Sequence, residues 1–316
     1  MSALSPLVVV LGPTASGKSA LGIALAEKLG GEVLVCDSTQ VYRHFDIGTA
    51  KVAPGEQREI KHHLIDLVES DEVFTAGEYR KRALNVLTDL RQREKLPIVT
   101  AGTGLYLRAL IEGLSEAPTR SEELRERLRM KARAKDPSYL HKILARIDRE
   151  AAARIAPRDT PKIIRAIEIR LLAQEPVGEV HRSGRSALEG YAVTKIGLVP
   201  PRAALYSAIE QRVEEMIRAG WIDEVRRLMA MGISPDAKPF QFIGYADLRE
   251  HIEGRLSLDT AMRHIRHATR RFAKRQLTWF RREPGVRWLV GFGTDPGIQA
   301  EAIDIASHAI DARGEA

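Results

Sequence analysis

Eight residues near the amino terminus, Gly12-Pro13-Thr14-Ala15-Ser16-Gly17-Lys18-Ser19, fit the pattern G-x-x-x-x-G-K-[ST]. The glycines let the backbone wrap inward, so that successive N–H groups and a helix N-terminus aim at phosphate oxygens. Lys18 adds a mobile positive charge, and the Ser19 hydroxyl is the expected ligand for Mg²⁺. The motif predicts a phosphate-bearing ligand without saying which. A loop of this kind that hydrolyses ATP uses an acid at the end of a neighbouring strand. The strand-like run 96–100 instead leads into Ala101-Gly102-Thr103-Gly104, which holds no acid, and the available carboxylate is Asp37. That departure points to group transfer rather than to a motor.

These residues need elements to position them. The run 7–11 is short, apolar and β-branched, the signature of a buried parallel strand. A helix is expected over about 18–29, then a second strand at 32–36 that ends at Asp37. A further helix over about 75–94 leads to the third strand at 96–100. Strands alternating with helices predict an α/β fold, a P-loop NTPase-like parallel sheet flanked by helices. From 121 to about 170 the sequence turns charged, alanine-rich and helical. A strand returns at 195–199, followed by amphipathic helices over 202–231. The expected organisation is a core of residues 1–113 and 191–316, interrupted by an all-helical insertion at 114–190. Residues 177–190, with their glycines and serines, read as a flexible connection.

Composition narrows the classes. The 316 residues carry a formal charge of +7, which favours an acidic partner without proving one. A single cysteine, Cys36, excludes an intrachain disulfide and a cysteine-based zinc cluster. No apolar run approaches the roughly 18 residues of a membrane span, and the first residues lack a signal-peptide pattern. A cytoplasmic protein without membrane contact is expected, and a monomer, because no heptad seam is visible. His62-His63 has no third ligand nearby, and Trp221, Trp279 and Trp288 read first as packing residues.

Several blocks together resemble one family. Gly12–Ser19, Asp37-Ser38-Thr39-Gln40-Val41-Tyr42-Arg43, Asp46-Ile47-Gly48-Thr49-Ala50-Lys51 and Gly102-Thr103-Gly104-Leu105-Tyr106 look like the N-terminal signature of tRNA dimethylallyltransferases. Phe242-Ile243-Gly244-Tyr245 and Lys274-Arg275-Gln276-Leu277-Thr278-Trp279-Phe280-Arg281 resemble its C-terminal blocks. Ala101 and Lys61 depart from it, where glycine and proline are more familiar. The resemblance implies transfer of a dimethylallyl group from dimethylallyl diphosphate to N6 of the adenine 3′ of the anticodon. It also implies Asp37 as general base, Thr103 beside the amine, and Arg202 with Lys18 on the diphosphate.

For the tRNA anticodon stem-loop, the resemblance implies contacts from Asp37, Ser38, Thr39, Gln40 and Thr103. In the insertion it adds Arg125 and the segment Pro161-Lys162-Ile163-Ile164-Arg165. Toward the C-terminus it adds Gln241 through Tyr245, then Lys274, Arg275, Gln276, Thr278, Trp279 and Arg281. Independently of any family, residues 258–282 form a helix pattern with Met262, Ile265, Phe272 and Trp279 on one face. Arg263, His267, Arg270, Lys274 and Arg281 share another, a cationic stripe suited to RNA phosphates. Three rival readings remain: a P-loop small-molecule or nucleoside kinase with ATP in the loop, a prenyltransferase for free adenylate, and a nucleotide-gated RNA-binding module.

Overall fold

The computed structural model describes residues 4–115, 117–136, 138–182, 184 and 186–311. It divides into two compact units, residues 1–110 with 189–316, and residues 111–188. The first unit is built on six parallel strands. In chain order its first part runs β1 (Ser5–Leu11), α1 (Lys18–Leu29), β2 (Gly31–Cys36), β3 (His62–His63), α2 (Ala76–Gln92), β4 (Leu96–Ala101) and α3 (Gly104–Glu112).

The second unit holds α4 (Glu122–Ala134), α5 (Tyr139–Ile147), α6 (Arg149–Arg154), α7 (Thr160–Ala173) and α8 (Val177–Arg182). Its core joins Leu128, Leu140, Leu144, Ile163, Ile167 and Val180. The segment expected to be a flexible connection therefore begins as a helical turn. Val177 and Val180 are buried there, and Asp148 accepts the Val177 N–H.

The chain then returns to the first unit through β5 (Tyr191–Leu198), α9 (Arg202–Arg218), α10 (Trp221–Ala230), α11 (Tyr245–Ile252), α12 (Leu258–Phe280), β6 (Val286–Leu289) and α13 (Pro296–Asp311). The sheet order is β3-β2-β4-β1-β5-β6. All six residues of β2 and of β4 are buried, as strands covered on both faces require. Register follows from pairs such as Val8↔Ile98, Val33↔Ile98 and Val10↔Ile196. The predicted strands at 7–11, 32–36, 96–100 and 195–199 are all present. The edge strands β3 and β6 were not anticipated; two and four residues leave too little pattern to read. Among the described residues no helix is long and apolar enough to cross a membrane.

Strand order positions the chemistry. β2, β4 and β1 are successive neighbours, so Asp37, Gly102 and Gly12 stand at three adjacent carboxyl ends. With strands about 4.8 Å apart, the ends of β1 and β2 lie about 10 Å from each other. Loops beyond the carboxyl ends of a parallel sheet are where such folds hold ligands.

Candidate active site

The loop 12–19 takes the shape its glycines permit. A Cβ on Gly12 would lie 2.9 Å from the Leu198 carbonyl oxygen, and one on Gly17 would lie 2.8 Å from the Gly293 nitrogen. Ala15 and Gly17 both have positive φ, 61° and 82°. Residues alternating into this region turn consecutive N–H groups inward as an anion nest. No side chain caps α1, whose first-turn amides have no intrahelical acceptor. Pro13 accepts a 2.7 Å hydrogen bond from Lys18 Nζ, and Ser16 is wholly buried. Thr14, Ala15, Gly17, Lys18 and Ser19 line a cavity of about 950 Å³, onto which the exposed Ser19 opens.

Asp37 lines the same cavity from the end of β2. Its Oδ1 accepts the Thr39 N–H at 2.8 Å and the Thr39 hydroxyl at 2.7 Å. That leaves Oδ2 toward Gly102, where any added methyl would fall on it. The Thr103 hydroxyl accepts the Ser38 N–H at 2.9 Å and donates to Ser38 Oγ at 3.2 Å. Thr103 therefore braces the turn after β2, beside Asp37, and its own proton is already engaged. Gln40 also lines the cavity, its amide nitrogen donating to the Thr49 and Ala50 carbonyls.

Cations converge on this space, though not the set the sequence suggested. Arg202 is exposed at the start of α9, hydrogen-bonded to the Tyr206 hydroxyl, and does not line the cavity. Arg212, ten residues on, does line it and makes no hydrogen bond or ion pair among the described residues. Burial disfavours the Arg212 charge, while Asp37 and Glu215 favour it. Its signal was its position three residues after Ile209, on the side of α9 that buries Leu205, Ile209 and Val213. Burial also lowers the Lys18 pKa to about 7, with Arg212 adding to the fall and Asp37 opposing it.

The loop after β2 closes the wall. Glu224 on α10 is buried and accepts the N–H groups of Asp46, Ile47 and Gly48 at 3.0, 2.7 and 3.3 Å. The Tyr245 hydroxyl donates to it at 2.7 Å. Gly244 packs against the Trp221 ring. Gly244 and Tyr245, assigned to RNA from sequence, are thus internal, while Gln241, Phe242 and Ile243 line the cavity.

A model of the IPP transferase family matches residues 40–283. The tRNA dimethylallyltransferases of Solibacter usitatus and Koribacter versatilis are 49% and 50% identical over 299 residues, covering 95% of this chain and 97% of each relative. The chain belongs to the IPP transferase family. It is a prenyltransferase enzyme. The full-length tRNA isopentenylpyrophosphate transferase of Bacillus halodurans superimposes with a TM-score of 0.72 at 34% identity, covering 98% of both chains.

The remaining blocks that resemble the IPP transferase family fall on two helical surfaces. On α12 Lys274, Arg275, Thr278 and Trp279 are exposed, as is Arg281 at its C-cap. Trp279 also packs on Gly104 and lies under the Arg108 guanidinium, 4.9 Å from its ring centre. Gln276 is turned inward, 6% exposed, and lines the cavity rather than the outer face of the helix. The cationic stripe is narrower than its sequence, because Arg266 pairs with Glu214, Arg270 with Glu210 and Arg263 with Asp259. In the second unit Arg125 and Arg165 both bind the buried carboxylate of Glu168, at 2.6 and 2.5 Å. Ile163 and Ile164 are core residues, leaving Pro161 and Lys162 exposed, the latter paired with Asp159. Helical charge patterns do not tell a paired arginine from a free one.

Proposed function

We propose that this enzyme transfers a dimethylallyl group from dimethylallyl diphosphate to N6 of the tRNA adenine 3′ of the anticodon. The observation that carries this reading is one cavity that the phosphate loop with Lys18, Arg212 and Asp37 line together. Loop amides, Lys18 and Arg212 stabilise the diphosphate as it gains charge. The adenine N6 attacks C1 of the allyl group, and the carbon–oxygen bond to diphosphate breaks with its electron pair leaving on oxygen. Asp37 Oδ2 takes the N6 proton. Thr39 and Thr103, through Ser38, hold the carboxylate in place. The base is flipped out of the anticodon loop to reach this point, as base-modifying enzymes require. The exposed cations Lys274, Arg275 and Arg281 contact RNA phosphates.

These residues fit Mg²⁺ held largely by the substrate's phosphates, with Ser19 opening onto the cavity beside Lys18. Among the described residues no group of three or more His, Cys, Asp or Glu could hold a metal. Mg²⁺ needs no such cage, since it keeps waters and takes substrate phosphates with one or two protein oxygens. Ser19 would hold it, and when bound it neutralises diphosphate charge.

Donor binding is expected to weaken as pH rises. The Lys18 pKa of about 7 in the free protein means that half of the molecules carry the ammonium near neutrality. An anion beside it raises that pKa, so binding takes up a proton once the free lysine is neutral. Affinity for dimethylallyl diphosphate is then full below about pH 7 and falls by up to about tenfold per pH unit above it. Calorimetry across this window should show the slope, and Lys18→Arg should flatten it. A wild-type affinity independent of pH would remove Lys18 from the donor site.

The reaction itself is tested by mass spectrometry of unmodified tRNA incubated with enzyme, Mg²⁺ and dimethylallyl diphosphate, without ATP. A five-carbon gain on the adenine beside the anticodon is expected. A gain on free AMP alone, or phosphate transfer on adding ATP, would overturn the reading.

A further inference from the structure

The inward-facing Gln276 has a place in the reaction that its surface neighbours do not share. Its Oε1 accepts the N–H of Thr14, in the phosphate loop, at 2.7 Å. Its Nε2 donates to the Gly102 carbonyl at 2.8 Å. Gly102 in turn donates its N–H to Cys36, the residue before Asp37, and is the glycine whose missing side chain leaves space for Asp37 Oδ2. One amide thus spans the gap between the ends of β1 and β4. It ties the loop proposed to hold the leaving group to the turn that abuts the proposed base. The polar group sits among the buried residues of α12, between Ala273 and Phe280, where an apolar side chain would fill the space more simply. A buried amide persists at such a position only with both halves bonded, as they are here.

We propose that Gln276 is a positioning residue for prenyl transfer, setting the distance between the donor's diphosphate and Asp37. The proposal rests on the prenyl-transfer reading above. Gln276 lines the cavity, and both halves of its amide are engaged, so its effect runs through the Thr14 amide and the Gly102 carbonyl. A displacement of about 1 Å between reacting groups can slow a reaction by about 10²-fold. Loss of the bridge is therefore expected to lower the transfer rate much more than donor affinity.

The test compares wild type, Gln276→Leu and Gln276→Glu in single-turnover prenylation of tRNA at saturating dimethylallyl diphosphate, with donor affinity measured by calorimetry. Gln276→Leu is expected to slow transfer by about 10–10²-fold with donor Kd changed less than about fivefold. In Gln276→Glu the ionised carboxylate accepts from Thr14 but opposes the Gly102 carbonyl, whereas the protonated acid can donate to it. Its rate relative to wild type should therefore rise as pH falls, a rescue that a purely structural role would not produce. A Gln276→Leu rate within twofold of wild type, or a rate loss matched by an equal loss of donor affinity, would overturn the proposal. So would a Gln276→Glu ratio that is flat with pH. Absence of product from wild type would instead refute the underlying reading, so the two failures are distinct.

Discussion

Replacing Asp37 by asparagine is expected to slow prenyl transfer by about 10²–10⁴-fold, the usual contribution of general-base assistance. Asparagine has nearly the same shape, and its oxygen can still accept the Thr39 N–H and hydroxyl that hold Asp37 at 2.8 and 2.7 Å. What it cannot do is accept the proton released by an attacking amine. On the proposed reading the donor's diphosphate binds at the phosphate loop, across the cavity from Asp37, so its affinity should change by no more than a few fold. Rapid-quench measurement with saturating tRNA separates the two quantities. A rate close to wild type would make Asp37 a binding residue only. Gly102→Ala should resemble Asp37→Asn in activity, because the new methyl occupies the space of Asp37 Oδ2 while the carboxylate remains.

The second large effect is on stability. Glu224→Ala is expected to destabilise the protein by about 3–5 kcal/mol, since it removes the acceptor for several buried donors at once. The three N–H groups of residues 46–48 and the Tyr245 hydroxyl converge on that one carboxylate. Trp221 and Tyr245 pack in the same place, with ring centres 5.7 Å apart. Glu224→Gln retains one acceptor oxygen and should lose less, about 1–3 kcal/mol. Chemical denaturation of both variants gives the comparison. Equal stabilities for wild type and Glu224→Ala would show that the 46–51 loop holds its shape without this anchor.

How much of this was legible beforehand depended on the kind of signal. The phosphate loop was, because its shape is set by neighbours within eight residues and by glycines that admit what other residues resist. The four longer strands were legible from short apolar β-branched runs. The family was legible because its motifs recur in order along most of the chain. Arg202 and Arg212 show where such reading stops. Both lie on α9, and only the rotation of that helix against the sheet decides which faces the cavity. The same holds on α12, where Gln276 lies among basic residues in sequence but sits on the buried side, three residues from Ala273 and four from Phe280. Arg125 and Arg165 looked available until folding delivered Glu168 between them.

Sequence by itself determined the fold class, the family and the presence of a phosphate loop, with a carboxylate at the end of the next strand in the chain. These rest on local backbone preference and on patterns of burial with periods of two and 3.6 residues, which a linear chain displays. Tertiary structure alone decided which cations remain unpaired, which polar groups turn inward, and that one glutamine spans the phosphate loop and the turn before Thr103. Those outcomes depend on partners up to 262 residues apart. A charge or amide in a sequence carries no mark of the group that will meet it once the chain has folded.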